Sequence, residues 1–388
     1  MESLKLISGY SFEKIKNYSI FFIYIFVNGL FVIKYGEKYG MILLPVYLIA
    51  VLVLSVFYIK VEFKETIYKV FFWISLISFF IASICLNYIV DGKSLKVDRW
   101  DAMEIGIRAI LEGKYPYNIP DYMGRKSSNL PVLIILGMPF YLIFGSVGYL
   151  QSFTFLLFSY IIFKIFNVYK HRLAVLVLLL LSPSYLWEVY VKSDLFSNFI
   201  LAVAFVYLLW NYFIKKSSIK LELAAFLTAL LFLTRLSVVI PIIILLFGTF
   251  LKFSLAEKFR FILVFLLTVL CILGLFFYNA SDVDMIIKYN PFVIQNAKQP
   301  LILSLLYIIT AFALSFRVKS FYDIMFWSGI LLFICVLIPF VLYLKEYGYN
   351  NVMVSSYFDL SFFNMSMPFI IIVLVLGFWV NNHKENTK

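Results

Sequence analysis

The chain has 388 residues, of which 63% are hydrophobic and 14% charged, and its mean hydropathy is +0.97. That composition leaves too little polar surface to cover a soluble fold, so the chain reads as an all-α polytopic membrane protein. The formal net charge of +12 sits in short loops between apolar runs and not in a basic domain, which excludes nucleic acid as a partner.

Met1 to Lys16 is mixed and charged and lacks a small-residue cleavage site, so no cleavable signal peptide is expected. Apolar runs of helix length then predict about twelve membrane spans, near 18–34, 41–59, 68–90, 148–166, 173–190, 195–213, 221–234, 236–251, 261–278, 301–316, 323–344 and 366–381. Cys85, Cys271 and Cys335 fall within these runs, which argues against a disulfide framework and for small core residues. The apolar segment from Leu130 to Phe144 is short and carries Pro131 and Pro139. If it crossed the membrane, Lys164, Lys170 and Arg172 would lie outside and every later basic loop would be inverted. If it only dips into the outer leaflet, Lys60, Lys64, Lys69, Lys164, Lys170, Arg172, Lys215, Lys216, Lys220, Lys252, Lys258, Arg260, Arg317 and Lys319 share the cytoplasmic side with both termini. The dipping arrangement is therefore expected. One transmembrane domain over 1–388 is anticipated, with an N-terminal helical hairpin (1–67), a central part (68–214) carrying a long outer loop (91–129), and C-terminal helices (215–388).

This topology sorts the aspartates without having been built on them. Asp91, Asp98, Asp101, Asp121, Asp194, Asp282, Asp284 and Asp359 all fall on the outer face, and Asp323 alone lies near the inner one. Acids contribute little to orientation, so the asymmetry points to chemistry at the outer face. With no soluble domain attached, a substrate that lives in the membrane lipid is the natural partner.

Within the long outer loop, Asp98 to Glu112 predicts an amphipathic helix lying on the membrane. Trp100, Met103, Ile107, Ile110 and Leu111 share one face, and Asp101, Glu104, Arg108 and Glu112 form a polar flank. Gly113 and Pro116 are its stop. Local forces account for the charges: Asp98 as N-cap, Asp101 facing the helix dipole, Glu104 paired with Arg108. Farther along, Arg235 stands in the apolar stretch from Leu223 to Leu251, where an unpaired guanidinium is costly. A helix break near Thr234 and Arg235 would bring it to the outer leaflet, either to grip a phosphate or to pair with an outer aspartate. Lys192, Lys288 and Lys298 are weaker phosphate candidates. Trp100, Tyr115, Tyr117, Trp187 and Tyr190 crowd the outer level, where an interfacial aromatic belt explains them before sugar stacking does. The loop with Asn290, Gln295 and Asn296 is placed to cover a donor, and Tyr357 to Asp359 to complete a pocket. His171 and His383 are both cytoplasmic, which argues against histidine catalysis outside.

The run Ile110-Leu111-Glu112-Gly113-Lys114-Tyr115-Pro116-Tyr117 after an acidic residue, followed by Leu130-Pro131-Val132-Leu133 and Met138-Pro139-Phe140, resembles the first outer loop of the GT-C membrane glycosyltransferases, in particular their polyprenyl-phosphate-mannose-dependent branch. Ser182-Pro183 followed by Lys192-Ser193-Asp194 is similar to the proline-then-acid turn of a later helix in that superfamily. The likeness covers roughly Tyr88 to Leu209; the hairpin before it is an addition, and the usual Pro-Pro of the dipping segment is a single Pro131. The resemblance implies an inverting hexosyltransferase that moves mannose from a polyprenyl-phosphate donor to a hydroxyl of a glycan or glycolipid acceptor on the extracytoplasmic face. It makes Asp101 the general base, Asp98 the runner-up, and Asp194 the second acid. Arg235 and Lys192 become the donor-phosphate ligands, and Trp100, Glu104, Tyr115, Tyr117, Trp187, Asn290, Gln295 and Asp359 the pocket. Two carboxylates make a weak metal signal, so no obligatory cofactor is expected, with Mg²⁺ or Mn²⁺ as the alternative. The rival readings are a glycan polymerase or ligase of the outer face, a flippase or transporter of lipid-linked sugars, and a structural membrane subunit.

Overall fold

The computed structural model describes residues 2–95, 97–296 and 299–380, which are helical with no strand among them. In chain order the helices are α1 (Glu2–Tyr35), α2 (Gly40–Lys60), α3 (Glu65–Ile89), α4 (Arg99–Leu111), α5 (Pro131–Phe144), α6 (Tyr149–Ile165), α7 (Tyr169–Leu180), α8 (Pro183–Tyr190) and α9 (Leu195–Leu208). They continue as α10 (Leu221–Phe232), α11 (Val239–Leu251), α12 (Leu255–Phe277), α13 (Val283–Lys288), α14 (Pro291–Asn296), α15 (Leu301–Ser315), α16 (Phe321–Tyr349) and α17 (Met367–Val375). Six helices are long and apolar enough to cross a membrane, and the number is eight if two bent pairs each count as one span. The stretches Leu221–Phe232, Leu236–Leu251, Leu301–Ser315 and Met367–Phe378, which were expected to cross, are shorter apolar helices. At a rise of about 1.5 Å per residue, α10 and α11 each reach roughly 20 Å, less than a hydrocarbon core of about 30 Å.

The centre of the bundle is α17, all of whose side chains are buried, packed against α9, α16, α7 and α1. Ile20, Tyr24, Val27 and Phe31 of α1 are buried in this core. The N-terminal hairpin is thus half integral and half peripheral, because α2 buries little beyond Gly40 and Val51. The outer surfaces of α2, α3 and α12 present Met41, Ile74, Leu255 and Leu275 outward, as lipid-facing helices do. Cys85 and Cys271 are exposed on this belt and Cys335 is half-buried, so the cysteines are not core residues.

Proline and glycine set the breaks. Pro183 opens α8 and bends it 62° from α7, so the straight span expected over 173–190 is broken. Asn28 Oδ1 satisfies the bend, accepting from Ser182 Oγ at 2.6 Å and from the Ser184 N–H at 3.2 Å. Gly145, at φ +75°, ends α5, and α5 turns through 113° into α6. The start of α5 is tied to the rest of the bundle by the Val132 N–H, which donates to Leu233 O at 3.0 Å.

Loops that were expected on the same side of the membrane meet each other. Glu62 pairs with Lys170, Glu65 accepts from the Tyr169 N–H at 2.6 Å, and Arg260 pairs with Glu222 at 3.1 Å. At the other end Asn87 donates to Gly148 O at 3.1 Å and Arg99 pairs with Asp359 at 2.6 Å.

The helix expected to lie on the membrane is instead packed into the protein. In α4, Trp100, Asp101, Met103, Glu104, Gly106 and Ile107 are buried, while Leu111 is 54% exposed. Gly106 lies under Ile134 and Gly137 under Met103, so two missing side chains let α4 and α5 approach closely. Of the polar flank, Asp101 and Glu104 point inward as well, while Arg108 and Glu112 are exposed. Asp98 occupies the N-cap position but makes no capping bond, and Glu104 accepts from the Val147 N–H at 3.1 Å in place of a pairing with Arg108. Arg108 Nη2 lies 4.0 Å from Asp101 Oδ1.

Candidate functional site

A cavity of about 710 Å³ lies where the start of α4, the loop 121–129, the break before α11, and α14 to α16 converge. Its polar lining comes from loops and helix ends: Asp98, Arg99, Asp121, Arg125, Lys126, Arg235, Gln295 and Asp359. Its apolar wall comes from the interiors of helices, including Ile240 of α11, Ile308 of α15 and Val336 of α16. Such a space suits a molecule that is polar at one end and apolar at the other.

Two carboxyls face each other in it. Asp121 Oδ1 accepts from the N–H groups of Met123 and Arg125, both at 2.9 Å, which fixes the turn Pro120 to Gly124, where Gly124 supplies φ +75°. Its carboxyl is hydrogen-bonded to Asp98, whose other neighbour is Arg125 Nη1 at 3.0 Å. Burial raises the Asp121 pKa, and the charge of Asp98 and the shared hydrogen bond raise it further, against the backbone N–H groups that lower it.

Two of the cations are held by acids, Arg235 by buried Asp194 and Arg99 by half-buried Asp359. A turn at Leu233 and Thr234 and the extended Arg235 separate α10 from α11, as the charge in that apolar stretch suggested, and place Arg235, only 5% exposed, on the cavity wall. Arg235 donates through Nε and Nη2 to the same oxygen of Asp194, Oδ2, with the Nε bond at 3.1 Å. Arg99 pairs with Asp359 and lies over the Phe362 ring, 5.0 Å from its centroid. Asp359 also caps the turn Leu360–Met365 by accepting from the Ser361 N–H at 2.9 Å. Gln295 spans the break, accepting from the Leu236 N–H at 2.9 Å and donating to Ser128 O at 2.5 Å. Three buried donors on the cavity-lining residues, Arg99 Nη1, Asn129 Nδ2 and the Tyr307 hydroxyl, have no hydrogen-bond partner among the described residues. Buried donors are rarely left unpaired, so an acceptor-rich ligand is the natural complement here.

Of the residues singled out in the sequence, Asp98, Arg235, Gln295 and Asp359 line this cavity and Asp194 stands behind Arg235. Asp101 does not line it. Asp101 Oδ2 accepts from the Tyr122 N–H at 2.8 Å, which anchors the 121–129 loop on α4, so the carboxylate chosen as base is a loop anchor. Lys192 is buried against Gly148, with φ +56°, and lies outside the cavity; burial lowers its pKa against the charges of Glu104 and Asp91. Trp100 packs on Gly92 and Tyr122, and Trp187 stacks on Tyr35 at 4.5 Å. Tyr115 and Tyr117 form an edge-to-face cluster with Phe277, and Asn290 caps α14 by accepting from the Phe292 N–H at 3.0 Å. None of these lines the cavity, and Glu104 is likewise spent on Val147. Lys298 and His383 lie outside the described residues, and the Asn296 side chain is not among the described ones.

Several contributors were given no role in the sequence. Arg99, Asp121, Arg125, Lys126 and Asn129 line the cavity, and only Asp121 carried a signal, as one of the outer-face aspartates and in the Pro-Asp-x-x-Gly turn. Glu188 of α8 is a further omission. It is fully buried, accepts from the Phe196 N–H at 2.9 Å and from Asn364 Nδ2 at 2.5 Å, and helps hold the start of α9, where Asp194 stands. An acid inside an apolar run was itself a signal. Among the described residues no group of three or more His, Cys, Asp or Glu is placed to hold a metal. Compared with family models, curated proteins and solved structures, the chain matches none.

Proposed function

We propose that the protein is an integral membrane glycosyltransferase of the GT-C type, with about twelve crossings, that transfers a hexose, mannose in the closest reading, from a polyprenyl phosphate to a hydroxyl of a glycan or glycolipid. In this reading it lies in a bacterial cytoplasmic membrane with both termini cytoplasmic and the cavity on the extracytoplasmic side. The observation that carries the proposal is the cavity itself: a carboxyl pair and two guanidinium groups on loops at one end, continued by an apolar wall made of helix interiors.

The acceptor oxygen attacks the anomeric carbon, and the bond from that carbon to the phosphate oxygen breaks with its electron pair on the phosphate. The acceptor proton passes to Asp98, which replaces Asp101 as the base because it faces the cavity. Asp121 beside it sets its orientation. The leaving phosphate departs as a stable anion, so its requirement is for cations and not for a second acid. Arg235 and Arg99 meet that requirement, and the unpaired donors Arg99 Nη1 and Asn129 Nδ2 supply hydrogen bonds that water or protein otherwise would. Asp194 keeps Arg235 aimed, as a positioning residue. If a divalent ion binds, Asp98 with Asp121 would be its ligands.

The test is to supply membranes containing the protein with a panel of polyprenyl-phosphate sugars and a mixture of glycan and glycolipid acceptors, and to read products by mass. A product heavier than an acceptor by one hexose, absent from membranes without the protein, is expected. Absence of any sugar-bearing product across the panel, with donor redistributed between leaflets, would replace the transferase by a lipid-linked sugar flippase.

A further inference from the structure

The end of the bundle away from the polar cavity holds a second recess, about 230 Å³, between α10, α11 and α12. It is larger than the ~150 Å³ apolar cavity that admits benzene. Ile243, Leu246, Phe250, Phe253 and Phe261 form its wall. Thr228 is the one polar side chain of the lining, and its hydroxyl donates to Ala224 O at 2.7 Å within α10, which leaves its methyl group for the recess.

The rim is basic. Lys252 stands between the lining residues Phe250 and Phe253, and Lys215 and Lys216 follow Phe213, whose ring lies 6.1 Å from that of Phe253. All three lysines are exposed. The acids nearby are engaged: Glu257 closes the capping box with Ser254, and Glu222 pairs with Arg260 at 3.1 Å. Lys215 and Lys216 lie over the Trp210 and Tyr212 rings, and no acid pairs with any of the three lysines among the described residues, so an aromatic recess at the surface of lipid-facing α12 with this rim has the chemistry of a lipid seat.

We propose that this recess binds one acyl chain of an anionic phospholipid, with its phosphate held by Lys215, Lys216 and Lys252. A zwitterionic lipid would fill the apolar part but gain less from the lysines. The seat is independent of what happens in the polar cavity.

The full chain, purified and re-equilibrated with an equimolar mixture of phosphatidylglycerol and phosphatidylcholine of identical acyl chains, should by native mass spectrometry retain phosphatidylglycerol by at least about tenfold. Lys215→Gln with Lys216→Gln and Lys252→Gln should bring that ratio close to unity. Ile243→Trp, which fills the recess, should lower retention of both lipids. Equal retention of the two lipids by the unaltered chain, an undiminished ratio in the lysine variant, or unchanged retention in Ile243→Trp would each overturn the seat. The lysines are surface positions, so that variant decides the question even if Ile243→Trp fails to fold.

Discussion

Asp98 and Asp101 are one helical turn apart and chemically identical, yet only one faces the cavity. The difference lies in a backbone N–H: Tyr122 donates to Asp101 and so commits it to holding the loop. No periodicity in the sequence can register that hydrogen bond, because it depends on how a distant turn folds back. Asp121 has a consequence for stability. Its carboxyl ionises at higher pH in the folded chain than in the unfolded one, so between those values the folded protein binds more protons. Stability should therefore fall as pH rises through that window and level off above it. Thermal midpoints in detergent should show a shallower fall in Asp121→Asn than in the unaltered chain; identical slopes, or a rise where a fall is expected, would contradict the raised pKa of Asp121. The Arg235–Asp194 pair gives a second test at this scale. Arg235→Ala leaves a buried carboxylate behind and should cost about 3–5 kcal/mol, whereas Arg235→Leu combined with Asp194→Leu should recover most of that. Equal losses in the two would mean that the guanidinium does not stabilise the chain through Asp194.

At the scale of elements, the long helices α1, α2, α3, α12 and α16 were legible from hydrophobic runs alone, since lipid and core both select apolar residues over a helix's length. So was the break at Arg235, where a charge has no place in a continuous apolar helix. The setting of α4 was not legible. Its apolar positions fit a membrane-surface helix as well as a packed one, and the difference was made by Gly106 and Gly137, which admit α5 against it. Aromatics misled for a related reason: Tyr115, Tyr117, Trp100 and Trp187 are held by ring contacts that cement outer loops together, away from the cavity. Gly92 has a comparable part. A Cβ there would stand 2.6 Å from the Trp100 ring, so Gly92→Ala should force Trp100, and with it the start of α4, to shift, at a cost of about 1–3 kcal/mol. Gly274 of α12 has nothing within 4 Å of such a Cβ, and Gly274→Ala should be neutral or stabilising by up to about 1 kcal/mol. Thermal unfolding of the two variants side by side checks this; an equal effect of both would remove Trp100 as the wedge that positions α4.

For the whole molecule, composition alone dictates a helical protein with an apolar exterior, and the structure adds which ends of the helices meet. The basic loops join one another at one end, and the aspartate-rich loops join at the other. The number of crossings is harder to read, because α10, α11, α15 and α17 are short and are continued by turns or by wider helical turns that hydropathy does not distinguish from loops. The cavity is a property of this scale. It takes one guanidinium from the start of α4 and another from the α10–α11 break, and carboxyls from segments separated by most of the chain. In the proposed reaction its working part is the pair Asp98 and Asp121, with Arg99 and Arg235 on the same cavity wall. The most direct measurement is hexose transfer from a polyprenyl-phosphate donor by membranes bearing the unaltered chain, Asp98→Asn or Asp101→Asn, at matched protein levels. Transfer should fall by about 10²–10⁴-fold in Asp98→Asn and by less than about tenfold in Asp101→Asn. Near-normal transfer by Asp98→Asn, with loss in Asp101→Asn, would contradict the account.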